Sequence, residues 1–412
     1  MNEERNTGAL PSDLKIRNRM IILGAMRDGE EYTAADIAMA TGISRPTVMK
    51  SIQYFINRGM ILECGKGEST LSGGKKPDLF KFVCNKLLLT VTLWPDLLNI
   101  HLCTMDLRKI ASLKIEAPIK STPKESFELI KEKALGILKE QGYGIDDLYG
   151  VSLSTAGIID YTSGILKFSS RSPGWGSNIP IRDYMKDIFG KNVEVLIENA
   201  GKMTGRSELV RSEEENSRVL VIFSTWGLSA CMIEKGHVLS GDHSLIGEVG
   251  HMVIDPNDDE LCGCGSYGCS ERMLSIEKIR KKIISDKGKY KKSNLSSINI
   301  EELRIPNVFE FSDKGDKYAR EIVLYLADTF AYLIRNISLV FDPNVIVFQG
   351  NYAHSDKYFK ELLINRLSSF KYFPVLDAPK IEYNARPLEE LDLLGAQNFL
   401  QRKFFQNEEL YN

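Results

Sequence analysis

Glu248-Val249-Gly250-His251 and, ten residues on, Cys262-Gly263-Cys264-Gly265-Ser266-Tyr267-Gly268-Cys269-Ser270-Glu271 place one imidazole and three thiols within nineteen residues. Three soft sulfurs and an imidazole nitrogen are the donor set of a tetrahedral Zn²⁺. Gly263, Gly265 and Gly268 lie between the cysteines, where a chain turning tightly round an ion needs positive φ or close backbone approach. Four protein ligands leave no open position for a reactive water, so the spacing predicts a structural zinc on His251, Cys262, Cys264 and Cys269 rather than a catalytic one. The other cysteines, Cys64, Cys84, Cys103 and Cys231, are scattered among apolar neighbours and read as small buried hydrophobes, not as a disulfide framework.

Outward from this stretch, 412 residues at 43% apolar and 26% charged exclude disorder, collagen and coiled coil as the main state and leave room for two or three domains. No apolar run approaches the roughly 20 residues of a membrane-spanning helix, and residues 1–12 are polar and read as flexible, so the chain is expected in the cytoplasm, away from membranes. The net charge is −2, but residues 1–86 carry 13 Lys+Arg against 10 Asp+Glu. A small basic head on an acidic body points to an appended nucleic-acid module.

Residues 13–84 read as a winged helix-turn-helix. Ile16, Met20, Ile21, Leu23 and Met26 keep helical spacing up to Asp28-Gly29; Thr33 caps a second helix from Ala34 to Ala40; Ser44 caps a third, with Pro46 in its first turn and Val48, Ile52, Phe55 and Ile56 inward. Met60–Glu63 and Leu79–Val83 then read as the strands of a hairpin wing, with a Gly/Ser/Lys-rich tip between them. A three-helix protein-interaction domain is the alternative. From Leu87 short strands alternate with helices as β-β-β-α-β-α, twice over, which indicates an α/β body of two lobes, 85–200 and 201–412 with the zinc site. The long helix Tyr318–Val340 reads as lobe core, with a contact between protomers as the alternative.

The Glu248–His251 and Cys262–Glu271 segments together resemble the signature of the ROK family of bacterial sugar kinases and sugar-responsive repressors. Gly74-Lys75-Lys76-Pro77 after a helix-turn-helix resembles the repressor branch, which includes xylose and N-acetylglucosamine repressors. The resemblance runs from about residue 13 to about residue 400. It implies a two-lobed, actin-like ATPase (ribonuclease H-like) body behind the winged helix-turn-helix.

Against the pattern of the family kinases, three segments depart. Where an Asp-x-Gly-Gly-Thr loop would hold phosphate and magnesium, the chain has Leu89–Asp96, with Trp94-Pro95 in place of a glycine pair. The Glu-Asn-Asp-Ala-Asn motif aligns with Glu198-Asn199-Ala200-Gly201-Lys202, so the proton-accepting aspartate is Ala200. The second, glycine-rich phosphate loop aligns with Thr225–Cys231 and keeps only Gly227. The resemblance therefore implies a non-enzyme. The family positions that hold sugar hydroxyls are matched by Asn199, Glu248, His251 and Glu271, with Gly157 in the turn beside the sugar; His251 then serves the metal with one ring nitrogen and the pocket with the other.

On the head, Ser44, Arg45, Thr47 and Lys50 lie at the start of the third helix, off its apolar stripe, and are the expected base or phosphate contacts; Lys75 and Lys76 on the wing tip are the expected groove or phosphate contacts. One such module meets half an operator, which implies a homodimer or homotetramer on DNA with a sugar or sugar-phosphate effector, most simply a repressor of carbohydrate-utilisation genes. Two other readings stay open: a sugar kinase with a DNA-binding head that uses Glu198 as base, and a zinc-stapled scaffold that no longer binds sugar.

Overall fold

The computed structural model describes residues 11–67, 76–116, 122–212, 217–286, 290, 292–370 and 379–412. Residues 1–10 of the stretch read as flexible, and Lys75 with most of the wing tip, lie outside them. Pro11 and Ser12 instead open the first helix.

The head comprises α1 (Pro11–Gly24), β1 (Glu31–Thr33), α2 (Ala34–Thr41), α3 (Arg45–Ile56), β2 (Ile61–Lys66) and β3 (Asp78–Phe82). Its sheet runs β1-β3-β2, so the hairpin gains a third strand, β1, too short to carry a periodic signal. Thr33 and Asp36 form a reciprocal capping box at α2, and Gly42 closes that helix in the left-handed conformation with φ 69°. Ser44 stands at the cap position of α3 but its hydroxyl meets Thr47 Oγ1 at 3.0 Å instead of a backbone N–H. Val48, Ile52 and Phe55 are fully buried with Ile22, Leu23 and Met26, while Ile21 faces outward.

The body follows with β4 (Leu87–Trp94), β5 (Leu97–Thr104), β6 (Lys109–Glu116), α4 (Pro123–Glu140), β7 (Leu148–Thr155), β8 (Ile158–Asp160), β9 (Ile165–Phe168), α5 (Ile181–Phe189), β10 (Glu194–Asn199) and α6 (Ala200–Gly205). Next come β11 (Arg218–Ser224), β12 (Leu228–Glu234), β13 (His237–Val238), α7 (Ser270–Met273), α8 (Ile276–Asp286), α9 (Ile305–Asp313), α10 (Lys317–Phe341), β14 (Val345–Gly350), α11 (Lys357–Ser369), β15 (Lys380–Asn384) and α12 (Leu388–Phe405). The sheets β6-β5-β4-β7-β10 and β13-β12-β11-β14-β15 share one strand order, third-second-first-fourth-fifth, which is the duplicated pattern read from the sequence.

Two compact units interleave along the chain rather than following the linear division at 84/85 and 200/201. One comprises 1–153, 181–196 and 397–412, and so joins the head to the first sheet; the other comprises 154–180 and 197–396. In the second unit α10 is the central core helix, with Ile322, Leu326, Phe330, Leu333 and Ile337 buried among Phe309, Phe348, Tyr352 and Phe359. By length and composition this 25-residue helix could cross a membrane, a candidate the run-length reading passed over; 56% of its most apolar window is buried inside the protein, as in a core helix.

Candidate functional site

The cluster of His251, Cys262, Cys264 and Cys269 forms because a short loop returns on itself. Val249–His251 is one turn of 3-10 helix, Val253 bridges Cys269, Leu261 bridges Tyr267, and the Cys262 N–H donates to Ser266 O at 2.8 Å. Gly268 is obligatory: its φ is +69° and a Cβ there would lie 1.9 Å from Asp255 O. Lys278 pairs with Asp258 at 2.5 Å, and Arg272, Lys278 and Lys281 surround Glu260, bracing the loop from outside.

One donor atom each from His251, Cys262, Cys264 and Cys269 lies within 4.8 Å of the others. Cys262 Sγ is 3.5 Å from His251 Nδ1, and Cys264 Sγ is 3.6 Å from Cys269 Sγ. A tetrahedron with metal–sulfur bonds of about 2.3 Å has edges of roughly 3.5–3.8 Å, so the four donors are spaced to hold a metal ion. Burial and the neighbouring sulfurs push the Cys269 thiol up to about 12, a cost that a bound cation reverses by stabilising the thiolate.

Beside the cluster lies a cavity of ≈ 370 Å³ whose walls include Gly157, Asn199, Ala200, Glu248, His251 and Glu271. All five residues expected at a sugar thus meet in one place, within one unit. Since Nδ1 of His251 faces the sulfurs, Nε2 is the ring nitrogen left for the cavity. Glu248 is largely enclosed; burial pushes its carboxyl up, while His251 and Lys202 pull it down and Glu271 pushes it further up. Glu271 Oε2 accepts from the Leu228 N–H at 2.9 Å.

Asn199 has a structural task besides. Its Oδ1 caps α6 by accepting from the N–H groups of Gly201 (2.9 Å) and Lys202 (3.3 Å), and its Nδ2 donates to Gly157 O at 2.8 Å. Gly157 has φ +127° and a Cβ there would meet Phe168 O at 2.6 Å, so only glycine fits the turn. Glu198, the alternative base, does not line the cavity: it is 5% exposed, accepts from Arg206 Nη2 at 2.8 Å and from the Asn199 N–H at 3.1 Å.

Sequence reasoning missed Phe168, Arg171, Trp226 and Ser229 in the same wall. Arg171 also lines a second cavity of ≈ 450 Å³ that shares Trp226, Gly227, Leu228 and Glu271 with the first. Only its place after the β8–β9 hairpin, in the loop before Pro173-Gly174-Trp175, carried any signal. The two stretches aligned with phosphate loops are short turns here. Trp94 pairs with Leu97 across Pro95-Asp96, and Ser224 pairs with Leu228 across Thr225–Gly227.

On the head, Ser44, Arg45, Lys50 and Lys76 are exposed and Thr47 is half-buried; Arg45 and Lys50 make no ion pair among the described residues.

The ROK family model matches residues 98–388. A xylose repressor of Caldicellulosiruptor bescii is 26% identical over 369 residues, covering 86% of this chain and 87% of that protein. A glucokinase of Thermotoga maritima is 25% identical over 259 residues, covering 61% and 79%. The crystal structure of a ROK family transcriptional regulator, described as a homologue of the E. coli MLC protein, superposes with a TM-score of 0.78 at 17% identity, covering 97% of this chain and 100% of that one. The repressor-type relatives match through the head as well as the body, which carries the actin-like fold, and the chain belongs to the ROK family, on its transcriptional-repressor branch.

Proposed function

We propose that the protein is a sugar-responsive transcriptional regulator, acting as a repressor of carbohydrate-utilisation genes in the cytoplasm, whose kinase-like body binds a sugar or sugar phosphate without phosphorylating it. One observation carries the reading. Asn199, Glu248, His251 and Glu271 line a single cavity of ≈ 370 Å³, whose wall at the position of the proton acceptor is the methyl group of Ala200. Hydroxyl-binding groups are retained while the base is gone. A kinase using Glu198 needs a free carboxylate, and both oxygens of Glu198 are engaged by Arg206 and the Asn199 N–H.

His251, Cys262, Cys264 and Cys269 would hold a structural Zn²⁺, which ties the 3-10 turn that follows Glu248 and ends in His251 to the start of α7, which carries Glu271. Ser44, Arg45, Thr47 and Lys50 on α3, with Lys75 and Lys76 on the wing, would meet operator DNA as a homodimer or homotetramer. Switching requires that the sugar bind one arrangement more tightly than the other.

A thermal-shift screen against D-xylose, D-glucose, N-acetylglucosamine and their phosphates, with magnesium-ATP in parallel, tests this. A sugar that raises the melting temperature, with no response to ATP, supports the regulator. Sugar-dependent release of ADP would overturn it, and no response to any carbohydrate would return the scaffold reading.

A further inference from the structure

Arg58, just past α3, and Arg19 on α1 turn their guanidiniums inward. Arg58 donates to the carbonyls of Glu409 (3.1 Å), Leu410 (3.2 Å) and Asn412 (2.7 Å), and Arg19 donates to Tyr411 O at 2.6 Å. Tyr54 of α3 donates to Asn412 O at 2.6 Å, and its ring carries the Arg19 guanidinium 3.3 Å from the centroid. Tyr411 is fully buried, edge-on to Phe55. Residues 408–412 are therefore a wall of the helix-turn-helix module, and they continue directly from α12.

The other end of α12 is built into the unit that holds the cavity. Asp392, 1% exposed, accepts from Ser154 Oγ at 2.6 Å. Gly395 lies against α6 so closely that a Cβ would be 1.8 Å from Met203 O. The opposite side of α6 is pressed on β12, where Cβ atoms at Gly201 and Gly205 would meet Ser229 Oγ at 2.1 Å and Cys231 Cβ at 2.2 Å. Ala200 and Gly201, in the first turn of α6, and Ser229 on β12 line the cavity. Between its two ends α12 is fixed by Gln397, donating to Leu107 O at 3.1 Å, and by Gln401, donating to Arg27 O at 3.1 Å and Met105 O at 2.8 Å.

We propose that α12 is a coupling rod: α6 sets the position of its Gly395 segment according to what occupies the cavity, and the rod sets the orientation of α3 through the clamp of Arg19, Tyr54 and Arg58 on residues 409–412. The inference rests on the regulator reading for its purpose, but its mechanics are independent of it. A helix of 18 residues spans about 27 Å as one hydrogen-bonded body, so a shift at one end is passed to the other instead of being absorbed in a loop. Packing at backbone distance leaves α6 no slack against Gly395, because interiors at crystal-like density transmit displacement. Arg19, Tyr54, Arg58 and Gly395 are positioning residues; none is assigned to DNA or sugar.

The test is hydrogen exchange of the full chain, followed by mass spectrometry over peptides spanning 45–58. Gly395→Ala forces α12 and α6 apart by roughly 1.5 Å, the difference between 1.8 Å and an ordinary contact. The expected result is at least fivefold faster exchange over 45–58, with β11 and β14 within twofold of wild type. The clamp variant Arg58→Met/Tyr411→Ala is expected to raise exchange over 45–58 by itself, and adding Gly395→Ala to it to change little more. Wild-type exchange over 45–58 in folded Gly395→Ala, or full additivity of the two perturbations, overturns the proposal. Should Gly395→Ala lose protection in β11, Ser154→Ala, which removes the Ser154–Asp392 hydrogen bond, replaces it with the same criteria. Neither sugar nor DNA enters the assay, so its failure leaves the regulator reading standing, and failure of the thermal-shift screen leaves this result untouched.

Discussion

Replacing Arg206 by Met asks whether Glu198 is a structural anion or a latent base. The two side chains are 12% and 6% exposed and 2.8 Å apart, so the variant leaves a carboxylate buried with a single remaining N–H donor, that of Asn199. Removing one partner of a buried ion pair costs about 3–5 kcal/mol. The surviving bond from Asn199 favours the lower end, about 3 kcal/mol, because a charge-assisted hydrogen bond still satisfies one oxygen. For a unit of this size, each kcal/mol moves the midpoint by about 2–4 °C, so calorimetry should show the second unit melting about 6–12 °C lower. Glu198→Leu in the same chain should recover most of that loss, since an apolar pair of similar volume replaces the ions. A midpoint within about 1 °C of wild type for Arg206→Met would refute the reasoning. So would a magnesium-ATP turnover that Glu198→Gln abolishes.

Further expectations concern metal, pH, turn geometry and DNA. Cys264→Ala should purify with less than about half an equivalent of zinc and unfold far more readily than Cys103→Ala, as metal analysis and urea titration will show, because structural zinc contributes to folding itself. Gly268→Ala should lose the metal just as completely, since its Cβ would meet Asp255 O at 1.9 Å. Asp316 caps α10; although burial pushes its carboxyl up, the N–H of Ala319, the Ser293 hydroxyl and the N–H groups of Leu295 and Asn294 hold it below the ordinary range. A depressed folded pKa stabilises above the unfolded value near 3.9 and stops doing so as pH falls through the folded one. Asp316→Ala should therefore cost about 1–2 kcal/mol at pH 7 and clearly less at pH 3 in urea melts. Arg45→Ala and Lys50→Ala should each weaken binding to DNA from the protein's own upstream region; a phosphate contact reduces the salt slope by about 1, whereas a base contact relaxes specificity at one position.

Most of the head, the five strands of the first sheet and three of the second were legible in the sequence, because their signals are local. Thr33 three residues before Asp36, Pro46 in a first turn, and the runs Leu87–Leu93 and Val219–Phe223 each declare an element within a few residues. The cluster of one histidine and three cysteines was legible for the same reason, since a loop of nineteen residues needs little else to close. The strand β1 and the helix α12 were not. The first has three residues, and the second has apolar positions facing several neighbours, so neither shows a clean period.

Chemistry was carried by residue type at each position: a methyl at Ala200, thiols at Cys262, Cys264 and Cys269, and no glycine pair beside Trp94. Folding in three dimensions decided which groups are free to act. Asn199 proved to be a helix cap as well as a cavity wall, Glu198 a partner of Arg206, and Arg19 and Arg58 holders of Tyr411 and Asn412. A side chain's composition sets what it can bind, but its hydrogen-bonding capacity is claimed by whichever partner packing brings within about 3 Å, and those partners lie up to 392 residues away along the chain.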